Sequence, residues 1–560
     1  MAPRHNRIPL RQLILSLEVS RKVKVVDVRR GTRGIVLIAK TRASQPKYIA
    51  YKTTIEVLEE NKLDAFVREA RRMFSASGHP LVVTPYYITK MLRRPLICMR
   101  YVEMSLREYL RTRGKLDEIE ALSLGLQIVK GLLYLKSRGI MAHQDLKPEN
   151  VLLEDLNKVH GYGLPSPLNL RVRLCDFGLA NAWMEAGIPG GTNPYKAPEQ
   201  FVARVPKTFN EELFKPDIFA LGIILTEMST GFHPSGLKSE DIEKKARDAR
   251  YWEEWAINGE RVVSIRSTEL KRLVHQMLDP NPLKRPSLEE VYRKLMSILK
   301  NRAKETYKQL MLMLEWYDTL ASYYMETGSW IEDLLKVFRV ATPKERSHIM
   351  ETLQYERSKI DNIKSPNEAV YKCKLDYAIG RVLLTEGKSR NKDKIILLAR
   401  EIIDVLAQWR DGIKVEHLYP PLTFRGECIS KQERLRNYEV HAELLKYGLI
   451  LLMNVLNENE IRDIMDKYDN YMKSLYHYYQ ASLQHYLYGS SELDKFIGEL
   501  NKAIHLTPDN PVPRYFKSLW IKQWVDTVMA INKGYVDKGT ICDRLQDALN
   551  EINYVLELDK

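Results

Sequence analysis

Short runs of β-branched and apolar residues fill positions 21–102, and long helical periodicities replace them from 103 onward. VKVVDV, GIVLIAK, KYIAYK and PLICMRY are each bounded by Gly, Pro or polar turn residues, which marks strands. Among them LDAFVREARRMFSA repeats its apolar residues at helical spacing. Farther on, ALSLGLQIVKGLLYLKSRG and DIFALGIILTEMSTG read as helices. A chain that changes period in this way is predicted to be α+β and bilobal. A small β-rich lobe at about 21–102 meets a helical lobe at 103–300, with a cleft between them suited to a ligand.

A second change falls near residue 300. Glycine becomes sparse and amphipathic stretches follow one another over 301–560, which predicts an all-α, repeat-like domain. YDNYMKSLYHYYQASLQHYLYG sets Tyr468, Met472, Leu475, Tyr479, Leu483 and Tyr486 on one helical face, read as a packing stripe rather than an aromatic binding box. LNKAIHLTPDN is similar to the close of a tetratricopeptide repeat, with Ala503 as the small residue between helices and Pro508 as the stop. That resemblance implies a surface for a protein partner or for the chain's own first domain. Residues 1–20 read as an N-terminal extension.

The chain has 560 residues, enough for two or three domains, and its 44% hydrophobic and 28% charged residues fit a globular protein. The net charge of +15 is dispersed, without the block of like charge that a specific nucleic-acid surface needs. Five scattered cysteines, without a CxxC pair, argue against a disulfide framework or a zinc site. The N-terminus lacks the pattern of a signal peptide, and the longest apolar stretch, YGLILLMNVL, is about half a membrane span. The expectation is a soluble, cytoplasmic protein.

The residues that carry chemistry lie in separate short stretches. AYKTT holds Lys52, VREARRM holds Glu69, HQDLKPENVLL spans 143–153, and CDFGLA holds Asp176. VRRGTRGIV, GTNPYKAPE, DIFALG and LKRPS accompany them. Together they resemble the eukaryotic-type protein kinases over residues 21–300. The resemblance implies transfer of the γ-phosphate of ATP to protein hydroxyls with Mg²⁺ or Mn²⁺. Lys52 would aim at the α- and β-phosphates and Glu69 would hold it. Asp145 would be the base and Lys147 would neutralise the γ-phosphoryl group. Asn150 and Asp176 would hold the metal. Gly31 and Gly34 match two glycines of the phosphate-covering loop. Val36, Ala50, Met99 and Leu152 would surround the adenine, with Tyr101 and Val102 offering backbone hydrogen bonds. Thr192 would shape the substrate segment, Asp217 would hold the catalytic loop, and Glu199 would pair with Arg285. Lys147 and Thr192 match the serine/threonine branch.

Two positions depart from the family. Arg29 stands where the first loop glycine would be, and Gln144 replaces the arginine that usually pairs with an activation-segment phosphate. Between Asp176 and Thr192 the chain contains no Ser, Thr or Tyr. The expected kinase therefore does without phosphorylation of that segment. The alternative is a pseudokinase that scaffolds through 301–560. GTNPYKAPE, a peptide-seating segment, weighs against a small-molecule kinase.

Overall fold

The computed structural model describes residues 10–30, 34–42, 46–54, 60–204, 210, 212–360, 362–414, 417, 429–488, 493–531 and 538–558. The chain divides into two compact units. The first comprises Met1–Met325 with Asp333–Arg346, the second Glu326–Glu332 with Ser347–Lys560.

The first unit opens with α1 (Leu10–Arg21), followed by β1 (Lys24–Arg30), β2 (Ile35–Lys40) and β3 (Tyr48–Thr53). Then come α2 (Glu60–Ser75), β4 (Pro85–Met91) and β5 (Arg94–Arg100). The five strands form one antiparallel sheet in the order β1-β2-β3-β5-β4. Side chains alternate across it. Leu37, Tyr51, Leu96 and Cys98 share one face with Leu13 and Leu17 of α1. Val36, Ala50, Lys52, Ile97 and Met99 therefore belong to the other face, aligned by the pairings Val36–Lys52, Ala50–Met99 and Lys52–Ile97. Most of the segment read as an extension is thus the helix that covers the sheet's back, and Val25 donates its N–H to Glu18 at 2.9 Å.

The helical lobe contains β6 (Met104–Ser105), α3 (Leu106–Arg113), α4 (Glu118–Ser137), β7 (Val151–Asp155), α5 (Leu156–His160) and β8 (Leu170–Leu174). It continues through α6 (Ala182–Ala186), α7 (Pro216–Thr230), α8 (Ser239–Lys245), α9 (Ala249–Asn258), α10 (Thr268–Met277) and α11 (Leu288–Arg302). PDIFALGIILTEMST is apolar around most of its circumference, and α7 is accordingly buried almost throughout. Ser105 and Ser287 close capping boxes with Glu108 and Glu290, which fixes where α3 and α11 begin. Beyond them α12 (Lys304–Glu326), α13 (Ser329–Phe338) and α14 (Pro343–Ser358) follow. The first compact unit runs past residue 300, because α12 packs on it through Asp318, which meets Lys130 at 2.6 Å.

The second unit is built from α15 (Pro366–Gly387), α16 (Lys392–Trp409), α17 (Ile429–Met453), α18 (Glu458–Met465), α19 (Asn470–Tyr488), α20 (Leu493–Leu506), α21 (Pro511–Ile531) and α22 (Lys538–Leu558). Consecutive helices pack in pairs, α15 on α16, α19 on α20 and α21 on α22. Ala503 is fully buried and its carbonyl accepts Ser474 Oγ at 3.0 Å, while α20 ends at Leu506 before Pro508. Met472, Leu475 and Tyr479 are buried, but Tyr486 is 85% exposed. The stripe therefore stops before the helix does, Tyr486 lying in its last turn. Among the described residues, no helix is long and apolar enough to cross a membrane.

Candidate active site

Strand alternation delivers Lys52 to the face away from α1, and α2 brings Glu69 to meet it. Lys52 Nζ lies 2.5 Å from Glu69 Oε1 and 2.8 Å from Asp176 Oδ1. Burial alone would push the ammonium pKa down, but the two carboxylates overrule it and hold Lys52 above its ordinary value. Burial would raise Asp176, and the adjacent ammonium reverses that and holds it below the usual carboxylate range. Asp176 has φ +67°, a left-handed conformation uncommon without glycine.

A second cluster forms where the loop before β7 meets the segment after β8. Thr192 Oγ1 donates to Asp145 Oδ1 at 2.7 Å. Lys147 Nζ donates to Thr192 Oγ1 at 2.7 Å and lies 3.0 Å from Asp145 Oδ2. Asn150 Nδ2 donates to the Asp145 carbonyl at 2.8 Å, so its amide oxygen is the atom left for a cation. Asp176 likewise keeps Oδ2 beyond its bond to Lys52. One neutral and one ionised oxygen suit a hard divalent cation, so the residues present fit Mg²⁺ or Mn²⁺.

The loop itself is held from below. Buried Asp217 accepts the N–H groups of His143 at 2.6 Å and Gln144 at 2.9 Å. Gln144 adopts φ +66° and is 2% exposed. Its Oε1 accepts Trp183 N–H at 2.8 Å, and its Nε2 donates to the carbonyls of Ile188 at 3.0 Å and Pro189 at 3.3 Å. Gln200 completes this clamp, with Nε2 reaching the carbonyls of Gln144, Pro189 and Gly190 at 2.9, 3.1 and 2.7 Å. Glu199 takes a two-pronged ion pair from Arg285 at 2.7 and 2.9 Å.

The remaining positions come from the strands of both lobes. Val36 and Ala50 come from the sheet, Leu152 from β7, and Met99 pairs with Ala50 in the register. Tyr101 follows β5 and sets its ring edge-on to Tyr48 at 6.0 Å, and Val102 is buried beside it. A Cβ on Gly34 would stand 2.8 Å from the Thr53 carbonyl, so the strand beside Lys52 leaves room for glycine alone. Gly31 lies outside the described residues. Arg29, next to last in β1, sets Nη1 3.4 Å from Glu108 Oε1 on α3. Cys175, next to Asp176, is pushed up to about 12 by burial and then by that carboxylate, which makes it a neutral filler at neutral pH.

Sequence reasoning missed Gln200 and Arg107. Arg107 donates to Glu149 at 2.9 Å and Glu227 at 3.3 Å, and also to Tyr195. A local signal existed only for Gln200, a polar residue inside the buried turn after Glu199.

The β-sheet lobe followed by the helical lobe has the fold of a protein kinase domain. Residues 24–296 match the family described as Protein kinase domain. The chain is 32% identical over 216 residues to the serine/threonine-protein kinase PknK of Mycobacterium bovis, covering 37% of this chain and 17% of that protein. It is 26% identical over 253 residues to the probable serine/threonine-protein kinase MARK-A of Dictyostelium discoideum, covering 43% and 21%. With the dual specificity mitogen-activated protein kinase kinase jkk-1 of Caenorhabditis elegans it shares 27% over 244 residues, covering 40% and 52%. The chain thus spans about half or less of the length of these relatives.

Proposed function

We propose that this protein transfers the γ-phosphate of ATP to serine and threonine hydroxyls of proteins, its own included. The observation that carries the reading is Lys52 Nζ seated between Glu69 and Asp176 at 2.5 and 2.8 Å. A lysine so placed keeps its charge and a fixed aim, which phosphoryl transfer requires of a phosphate-holding group. Asp145 accepts or orients the proton of the substrate hydroxyl, and Lys147 offers positive charge where the transferred group passes. Thr192 links the two and fixes their spacing. A divalent cation held by Asn150 and Asp176 would neutralise phosphate charge. Val36, Ala50, Met99 and Leu152 enclose the base, and the backbone at Tyr101–Val102 pairs with its edge.

The activation segment needs no phosphate in this account. Gln144 holds it by neutral hydrogen bonds to Trp183, Ile188 and Pro189, where an arginine would require an anion. We also infer that residues 301–560, chiefly the second unit, bind a protein partner, which the paired helices support. The thiols Cys98, Cys175, Cys373 and Cys542 are free, in keeping with a cytoplasmic setting.

The test is labelled ATP with Mg²⁺ or Mn²⁺ and a generic basic protein, wild type beside Asp145→Ala. Label entering the protein with the wild type alone supports the reading. Equal labelling by both would refute it.

A further inference from the structure

Helix α2 carries a ridge of three arginines, Arg68, Arg71 and Arg72, at the three- and four-residue spacings that bring like charges together. Carboxylates far away in sequence neutralise it. Arg72 Nη2 meets Glu185 of α6 at 2.5 Å. Arg71 Nε meets Glu345 Oε2 at 3.1 Å, and Arg68 Nη1 stands 4.0 Å from Glu345 Oε1. The Glu345 side chain is 6% exposed, so this pair is largely shielded from water and salt, unlike an ordinary surface pair. Glu345 lies well beyond the matched kinase domain, which ends at residue 296, yet belongs to the same compact unit.

The segment that carries Glu345 is anchored on the same lobe junction at several points. Tyr324 packs against Gly78, just after α2, so closely that a Cβ there would fall 2.3 Å from the ring. Gly78 also has φ +96°, which only glycine adopts readily. Asp318 sits 3.4 Å from His79 Nε2 and 2.6 Å from Lys130 Nζ. Tyr317 lies under the Arg171 guanidinium at 5.6 Å, and Lys336 stands over the Phe74 ring at 5.9 Å. The two arginines that Glu345 meets, Arg68 and Arg71, flank Glu69 on α2.

We propose that residues 304–325 and 333–346 form a built-in clamp on α2, and that Glu345 is a positioning residue that keeps Glu69 against Lys52. The inference deepens the phosphoryl-transfer reading and rests on it. It makes the segment after the kinase domain part of the catalytic unit, so any change that withdraws Glu345 lowers turnover without touching ATP or substrate.

A charge swap in the full-length chain tests it, with Glu345→Arg, Arg71→Glu and the two combined. Each is read by kcat and KM for ATP, and by amide hydrogen exchange over residues 60–75. Each single change should lower kcat about tenfold and move KM for ATP less than about threefold, as loss of a positioning contact does. Exchange over 60–75 should rise while the helical lobe stays protected. The double variant should recover to within about threefold of wild type, because the pair is restored with its signs reversed. If Glu345→Arg does not fold, Glu345→Gln takes its place and should lower kcat about threefold. Wild-type kcat in the single variants, or no recovery in the double variant, overturns the clamp. A wild type that transfers no phosphate while the exchange pattern follows the charges leaves the clamp standing and defeats the kinase reading instead.

Discussion

Gln144 Oε1 accepts the backbone N–H of Trp183 at 2.8 Å, so one neutral side chain ties the loop before β7 to the segment after β8. The amide suits this place because it can give to two carbonyls and take from one N–H at once, which a cation cannot.

Replacing Gln144 should therefore cost activity. Gln144→Ala leaves the Trp183 N–H and two carbonyls without this partner, a loss on the order of 2 kcal/mol of local stability. Gln144→Glu should be worse, since an acceptor-only carboxylate would face the carbonyls of Ile188 and Pro189. Initial rates and limited proteolysis of residues 181–191 check both variants. Wild-type rates in both would remove the clamp from the account.

Lys52→Ala should fold and yet transfer roughly 10²-fold less phosphate or fewer, because fixed charges supply much of the stabilisation in such a site. Glu69→Gln keeps a hydrogen-bond acceptor but loses the charge, and its loss should be smaller, about tenfold. Circular dichroism and a rate assay on one preparation separate folding from chemistry. Retention of more than about a tenth of the wild-type rate by Lys52→Ala argues against its role.

Thr192 bridges Asp145 and Lys147 through its hydroxyl, so a hydroxyl rather than a charge should be needed there. Thr192→Ser should stay active, and Thr192→Ala should be impaired. Thr192→Asp should not restore activity, because a second carboxylate would repel Asp145 and compete for Lys147. Rescue by the aspartate would mean that position 192 is a phosphorylation switch.

Glu154 supplies a pH-dependent contribution to stability in the same lobe. Its carboxylate lies 2.7 Å from Arg100, 2.5 Å from Arg171 and 3.0 Å from Arg173. Burial would raise its pKa, but Arg173, Arg171 and Arg100 reverse this and hold it far below the ordinary range. With a depressed folded pKa, the stabilisation is present above the unfolded value of about 4.3 and is lost as pH falls toward the folded value. Glu154→Gln should thus destabilise by about 3 kcal/mol at pH 7, and the gap from wild type should narrow below about pH 4. Denaturant midpoints at several pH values measure it. A gap that widens on acidification would contradict the charge assignment.

The amount legible from sequence differed sharply between elements. Four strands of the sheet stood out because β-branched runs ended at turn residues, whereas PYYITKM of β4 did not, its leading proline counting against a strand. LRQLILSLEVSR became a helix only because the sheet offers Leu13 and Leu17 a face to bury. The candidate site residues could be read from short motifs, since Lys52, Asp145, Asn150 and Asp176 sit in local sequence with few alternatives. Gln144 could be read only as a departure, because its partners Trp183, Ile188 and Pro189 are defined by the path of the segment. Glu345 left no trace, for an ion pair formed 274 residues away has no local signature.

The most direct measurement is a progress curve of phosphate transfer by the full-length protein, stripped by phosphatase and then freed of it. The expected result is near-full initial velocity from the first time point, abolished in Asp145→Ala. A long lag that disappears when the protein is first incubated with ATP, or transfer that persists in Asp145→Ala, would contradict the account.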